Sequence, residues 1–210
     1  MLSFLFSVSI LHAQISKGSL FLGGNINFYS SDNSADDNSI GYKQDVFTVS
    51  SVIGKVIKNN LVLGAGLGYS HTKYRQGPTN IPNDQKSNGY SGNVFLRKYM
   101  GLGKNFYIYL ESALGARYDK SDNSPINLNN NYKTISVSLG VTPGISYAIS
   151  KKLQIETGFN QLLSIGYSHE KGNKNPSYSV PYKTNTFSVS TGFNNSYFSS
   201  IFFGFKLFLG

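Results

Sequence analysis

The sequence predicts an all-β fold: an eight-stranded antiparallel up-and-down transmembrane β-barrel. Three observations predict it. Apolar and small residues alternate in stretch after stretch, the connections between stretches are alternately short and long, and no apolar run approaches the roughly 20 residues that a membrane-spanning helix needs.

Residues 61–70 show the alternation most plainly. Leu61, Leu63, Ala65, Leu67 and Tyr69 are apolar, and after Val62 the positions between them are Gly64, Gly66, Gly68 and Ser70. Successive strand side chains point to opposite faces, so one face is oily and the other is tiny. Residues 134–149 repeat the pattern, with Ile135, Val137, Leu139, Val141, Pro143, Ile145, Tyr147 and Ile149 against Ser136, Ser138, Gly140, Thr142, Gly144 and Ser146. A soluble barrel turns its large apolar side chains inward, and an eight-stranded interior is only just wide enough for side chains. The large residues here are too many for that interior, so the expectation is that they face lipid and the small ones line the axis.

The strands expected in order are 19–30, 44–57, 61–73, 89–100, 106–119, 132–149, 153–169 and 185–209. The last is too long for one regular strand, and Gly192-Phe193-Asn194-Asn195-Ser196 marks a bulge or an extra hairpin within it. Connections 58–60, 101–105 and 150–152 are three to five residues long. Connections 31–43, 74–88, 120–131 and 170–184 have 12 to 15 residues rich in Asn, Ser, Asp, Gly and Pro. Outer-membrane barrels have this asymmetry, with tight periplasmic turns and long external loops. It predicts both termini in the periplasm. A Lys-bearing turn also precedes each rising strand, as in Lys58-Asn59-Asn60, Lys104-Asn105 and Lys151-Lys152. Similar hairpins laid side by side suit a closed meander, which leaves no exposed edge.

Residues 1–13 read as a secretory signal peptide, with an apolar core over 2–11 and cleavage after Ala13, which leaves 14–210 as one barrel domain. The 22 Gly, 15 Tyr and 15 Phe favour strand over helix. Cysteine is absent, so there is no disulfide framework and no thiolate metal site. The 19 Lys and Arg outnumber the 10 Asp and Glu, but they scatter over loops and turns, which argues against nucleic acid and suits anionic lipid head groups.

Parity carries a few charges into the lumen: Arg97 among Asn93, Phe95 and Tyr99, Glu111 and Arg117 between Tyr107, Tyr109 and Gly115, and Glu156 between Gln154 and Gly158. An unpaired charge in a poorly hydrated interior costs several kcal/mol. The expectation is a lumenal ion-pair cluster of Arg97, Glu111, Arg117 and Glu156 that plugs the barrel, with Lys206 a possible further member. Phe28, Tyr69, Tyr118, Tyr147 and Tyr167 near strand ends are expected to form interfacial girdles.

No catalytic, cofactor-binding or metal-ligating set is recognisable. The run Gly64-Ala65-Gly66-Leu67-Gly68 alternates as a strand does and lacks the form of a phosphate loop. His12 lies in the leader, and His71 and His169 near the long connections make a poor metal site by themselves. Asp32, Asp36 and Asp37 lack the spacing of a calcium loop.

The run Ser200-Ile201-Phe202-Phe203-Gly204-Phe205-Lys206-Leu207-Phe208-Leu209, the stretch Val94-Phe95-Leu96-Arg97-Lys98-Tyr99 ahead of a turn, Val141-Thr142-Pro143-Gly144-Ile145-Ser146-Tyr147 and the Ala13-Gln14 junction carry a resemblance. With them in view, the mature chain resembles the small eight-stranded outer-membrane β-barrels of Gram-negative bacteria, the relatives of OmpA and OmpX. The resemblance implies insertion in the cell outer membrane, outer-membrane lipid and lipopolysaccharide as surroundings, and the outer-membrane insertion machinery as a partner. It implies no shared enzymatic activity.

The functional expectation is therefore a non-enzymatic barrel with a filled lumen, whose long external loops carry envelope, adhesion or interaction roles toward a ligand the sequence does not name. Three alternatives stay open: a narrow pore for small solutes, a membrane-embedded lipid-modifying enzyme using His71 or His169 beside a loop serine, and a soluble lipocalin-like carrier.

Overall fold

The computed structural model describes residues 15–33, 42–76, 83–124, 131–159, 161–173, 181–191 and 201–210. The strands are β1 (Leu20–Asn33), β2 (Tyr42–Lys58), β3 (Leu61–Gln76), β4 (Asn83–Gly101), β5 (Phe106–Ser124), β6 (Asn131–Ala148), β7 (Leu153–Phe159), β8 (Leu163–Asn173), β9 (Pro181–Thr191) and β10 (Ile201–Leu209). Neighbours from β1 to β6 pair antiparallel in chain order. Both β7 and β8 pair with β6, β9 pairs with β8, and β10 pairs with β7. The ten segments thus form eight staves, the seventh being β7 with β8 and the eighth β9 with β10. The ring closes where β10 pairs with β1, from Leu20↔Leu209 to Ile26↔Phe203.

Several strands run further than the apolar alternation does. The ladder between β4 and β5 continues outward past Asn88↔Lys120 through Lys86↔Asp122, where the side chains are already polar. A ladder needs only backbone N–H and C=O groups, so it outlasts the hydrophobic pattern that reveals it.

Two departures from the expected strands lie on one flank. The expected strand 153–169 is interrupted: between Gly144↔Gly158 and Val141↔Leu163, β6 has two residues and its neighbour has four. The insertion is a bulge, with Gln161 in the left-handed region at φ 47°. Pro143, which has no N–H to give, sits in β6 opposite this bulge, where a sheet tolerates proline. On the next stave, Phe159 pairs with Ile201 and Leu163 with Thr191. The expected bulge or hairpin at 192–196 lies outside the described residues, as does the expected leader at 1–13.

The two faces separate as the alternation requires. On the outer wall Leu67 is 72% exposed, Phe203 71% and Phe187 70%, whereas Phe21 and Phe95 inside are at 0% and 2%. Leu139, Val137, Leu114 and Val94 are likewise on the outside. A wall of this kind is stable only against hydrocarbon. The interior is not uniformly small, however. At the end with the short turns it packs Phe21, Phe95, Tyr99, Tyr107, Tyr109, Phe202 and Phe208 with Val56 and Val62. Glycines opposite make the room: a Cβ on Gly144 would collide with the Tyr109 ring, and one on Gly23 with the Lys206 side chain.

Ile15 joins this packing. Its N–H donates to Asn60 Oδ1 at 3.1 Å, its C=O accepts from Asn60 N at 3.0 Å, and Gly18 N donates to Val56 O at 2.8 Å. The segment before β1 therefore folds across the mouth of the barrel. Asn60 itself stands at φ 63°, which a short polar side chain tolerates in a tight turn.

A charge on the outer wall tests the orientation of the faces. Leu139→Lys is expected to lower the unfolding free energy in phosphatidylcholine vesicles by about 2–4 kcal/mol. The measurement is a urea titration read from the folded band on unheated gels. An unchanged midpoint would place Leu139 away from hydrocarbon.

Candidate functional site

The lumen has three levels. At the short-turn end, β4 presents Arg97, β5 Glu111, β7 Glu156 and β10 Lys206. Their alternation puts all four inside, and the register brings them to one height: Arg97 is opposite Glu111, and Glu156 pairs with Gly204, two residues from Lys206. The guanidinium bridges two carboxylates, with Nη2 2.6 Å from Glu111 Oε2 and Nη1 2.6 Å from Glu156 Oε2. Nε also donates to Glu111 Oε2 at 2.7 Å, and Nη1 to the Tyr99 hydroxyl at 3.1 Å. Lys206 Nζ meets the other oxygen of Glu156 at 2.8 Å.

Two cations and two anions balance, and the site is largely closed to solvent: the side chains of Arg97, Glu156 and Lys206 are exposed by 4%, 0% and 2%, and that of Glu111 by 14%. Aromatic faces complete the shell. The Arg97 carbon lies 4.3 Å from the Tyr109 ring centre and 5.4 Å from that of Phe21, and Lys206 Nζ is 5.7 Å from the latter. Tyr99 packs edge-on against Phe208, and Phe21 does the same. Beside this group Ser146 donates to Gln154 at 2.8 Å, again fully inside.

The middle level is lined by small residues, among them Gly66, Gly68, Gly115 and Ser138, with Ser50 hydrogen-bonded to Asn25. The third level, toward the long connections, is a polar hollow of about 360 Å³ lined by Gln44, Thr72, Tyr74, Gln85, Arg117 and Asp119, among others.

Arg117 belongs to that level and not to the cluster expected for it. It makes two bonds with Asp119, from Nε to Oδ2 at 2.7 Å and from Nη2 to Oδ1 at 2.7 Å, and Nη2 donates to Ser70 Oγ at 2.6 Å. The physical reason is distance along β5. Six residues separate Arg117 from Glu111, about 20 Å at strand rise, and Asp119 is the next residue on the same face. Lys206 supplies the second cation in its place. The sequence signal for Asp119 is its parity with Arg117, at the last residue of the expected strand 106–119, where strand and loop charges look alike.

The histidines face the outer wall. His71 Nδ1 lies 2.9 Å from Asn88 Oδ1, which also accepts from Tyr69, and His169 Nδ1 lies 2.7 Å from Asn185 Oδ1, which accepts from Tyr167. Nδ1 of each histidine thus meets an asparagine and not a serine. Among the described residues no group of three or more His, Cys, Asp or Glu could hold a metal ion. Asp32 pairs with Lys43 at 3.8 Å, while Asp36 and Asp37 lie outside the described residues. Phe28, Tyr69, Tyr118, Tyr147 and Tyr167 all stand on the outer wall, with Tyr69 beside Tyr90 and Tyr147 beside Phe106, but because the strands run on past the apolar band only Tyr147 is near a strand end, and Tyr69 and Tyr167 are mid-strand.

A family model described as the autotransporter beta-domain matches residues 22–156, more than half of the chain. Among solved structures, the crystal structure of Neisserial surface protein A (NspA) is similar at 16% identity, covering 91% of this chain and 97% of that chain with a TM-score of 0.46. No curated protein sequence matches.

The balance inside the lumen makes a sharp contrast testable. Glu156→Gln leaves the buried Lys206 without an anion and Arg97 with Glu111 alone, and a loss of about 3–5 kcal/mol in unfolding free energy is expected. Arg117→Gln, at a pair open to water, is expected to cost less than about 1 kcal/mol. Denaturant titration of the two variants in the same vesicles checks both, and equal losses would mean that the inner group is no better sheltered than the outer one.

Proposed function

We propose that this chain, which belongs to the autotransporter beta-domain family and is an integral β-barrel of the Gram-negative outer membrane, works without enzymatic chemistry as a sealed anchor that holds its long connections at the cell surface. The observation that carries this reading is Arg97, held across the lumen by Glu111 and Glu156 and roofed by Tyr109 and Phe21. A hydrated path for ions would have to break a compensated, largely buried group, and an ion or solute would find no free charge there to exchange with.

The orientation follows from the loops. Short turns lie in the periplasm and long connections outside in outer-membrane barrels, so both termini are periplasmic and the polar hollow around Arg117 opens to the exterior. The barrel is delivered by the insertion machinery and sits among lipopolysaccharide and phospholipid. The loops, together with the rim formed by Gln44, Tyr74 and Gln85, then carry the contact with a ligand or partner. Among the described residues the Nδ1 atoms of His71 and His169 meet asparagines and not a serine, which supports a non-enzymatic role.

Planar-bilayer recording tests the seal. The native barrel is expected to give no single-channel steps, and regular steps would overturn the reading in favour of a narrow pore. An epitope inserted within residues 125–130 is expected to bind antibody on intact cells, and one within 102–105 only after permeabilisation. The reverse pattern would invert the barrel.

A further inference from the structure

The register of β5, β6, β8 and β9 brings together four lysines that are far apart in the chain. Lys120 is the cross-strand partner of Lys133, Lys133 of Lys171, and Lys171 of Lys183. All four are exposed. They lie on the outer wall, one alternation beyond the line Tyr118, Ile135, His169 and Asn185 that ends the apolar band. Three interstrand spacings of about 4.8 Å make the row about 14 Å long.

Like charges placed directly opposite each other destabilise a sheet. Elsewhere on the same rim lysines also have an acid as a cross-strand partner: Lys43 faces Asp32, and the pair Lys73 and Lys86, opposite each other, is flanked by Asp45 on one side and Asp122 on the other. In the row only Lys120 has an acid near it, Asp122 two residues along its own strand at 3.4 Å. Among the described residues Lys133, Lys171 and Lys183 have no ion pair. The nearest acid in β8, Glu170, is turned to the lumen, where it accepts from Tyr182 at 2.6 Å and Thr134 at 3.4 Å. The neighbouring rung adds donors to the same flank: His169 and Tyr167 gather on Asn185, and the sequence Gly-Tyr-Ser-His-x-Lys occurs both at 68–73 and at 166–171.

We propose that the row Lys120, Lys133, Lys171 and Lys183 is a binding ridge for the phosphate groups of a membrane glycolipid, the lipopolysaccharide of the surrounding leaflet. The ridge stands at head-group height. From Ile135 to Tyr147 the apolar face of β6 rises roughly 30 Å along the axis, at about 3.3 Å per residue and a tilt of about 40°. The lysines begin where that band ends, so their stems lie along hydrocarbon and their ammonium groups reach the phosphate layer. The phosphates supply the anions that the sheet lacks, and the acyl chains continue down over Ile135, Val137 and Leu139. The leaflet assignment rests on the orientation proposed above; the phosphate chemistry does not.

The test is a reversal of sign. The full-length chain and its Lys133→Gln/Lys171→Gln/Lys183→Gln variant are folded into phosphatidylcholine vesicles, and into the same vesicles doped with diphosphoryl lipid A. In phosphatidylcholine the variant is expected to unfold at higher urea than the parent, because repulsion is relieved. With lipid A the order is expected to invert, and the affinity of the folded parent for lipid A, read by native mass spectrometry from detergent, is expected to exceed that of the variant by at least about thirtyfold. A control with the same charge change at the other end, Lys17→Gln/Lys55→Gln/Lys98→Gln, is expected to bind like the parent.

The proposal is overturned if the triple variant binds lipid A like the parent, if the control loses as much, if dephosphorylated lipid A binds equally well, or if inorganic phosphate competes at equal concentration. Should the variant fail to fold, the parent alone decides: its lipid A affinity must fall steeply between about 0.05 and about 0.5 M salt. Heat-modifiable migration is followed throughout. Its loss in the parent would sink the barrel itself, whereas lost binding specificity in an intact barrel sinks only the ridge.

Discussion

A chain that enters hydrocarbon must satisfy every backbone N–H and C=O from within the protein, and the rest of this structure depends on that constraint. Eight staves paired edge to edge meet it, with β10 returning to β1 to close the ring. Once closed, the alternation of side chains has only one arrangement compatible with lipid. Leu67, Leu139 and Phe203 go out, while Gly66, Gly140 and Gly204 go in. Glycine inside serves a second purpose, since the barrel is narrow and the few large lumenal side chains need a bare wall opposite them. Gly144 facing the Tyr109 ring and Gly23 facing Lys206 are the clearest cases.

The lumenal charges follow from the same closure. A barrel shut by aromatic packing at one end has little water to offer an ion, so Arg97, Glu111, Glu156 and Lys206 must neutralise each other. The group is a local solution with a global effect. It ties β4, β5, β7 and β10 across the lumen, where the ladder alone ties only neighbours. At the other end the strands stand in water, and Arg117 with Asp119 and Ser70 lines an open polar hollow. The same pair of side-chain types is a sealed brace at one height and a wet rim at another.

Much of this was legible in the chain because a membrane barrel writes its fold as a period of two. Strand positions, the alternation of short and long connections, the oily face and three of the four cluster members could all be read directly. What could not be read was register across non-neighbouring sequence. Arg117 has the right parity but the wrong height, and Lys206 has the right height only because β10 closes on β7. The bulge at Gln161 left no apolar signature, since two extra residues inserted beside Pro143 restore the phase. The lysine row is the extreme case: Lys120, Lys133, Lys171 and Lys183 look like scattered loop charges until pairing lines them up.

The central claim is which way the side chains of one strand face, and the absence of cysteine permits a direct measurement. Single cysteines placed one at a time along residues 135–146 of β6, each carrying a nitroxide, report accessibility to oxygen dissolved in the bilayer. The account predicts a strict period of two, with Ile135, Val137, Leu139, Val141 and Ile145 open to oxygen and Ser136, Ser138, Gly140, Thr142 and Ser146 shielded. The opposite phase, or a period near 3.6, would contradict it.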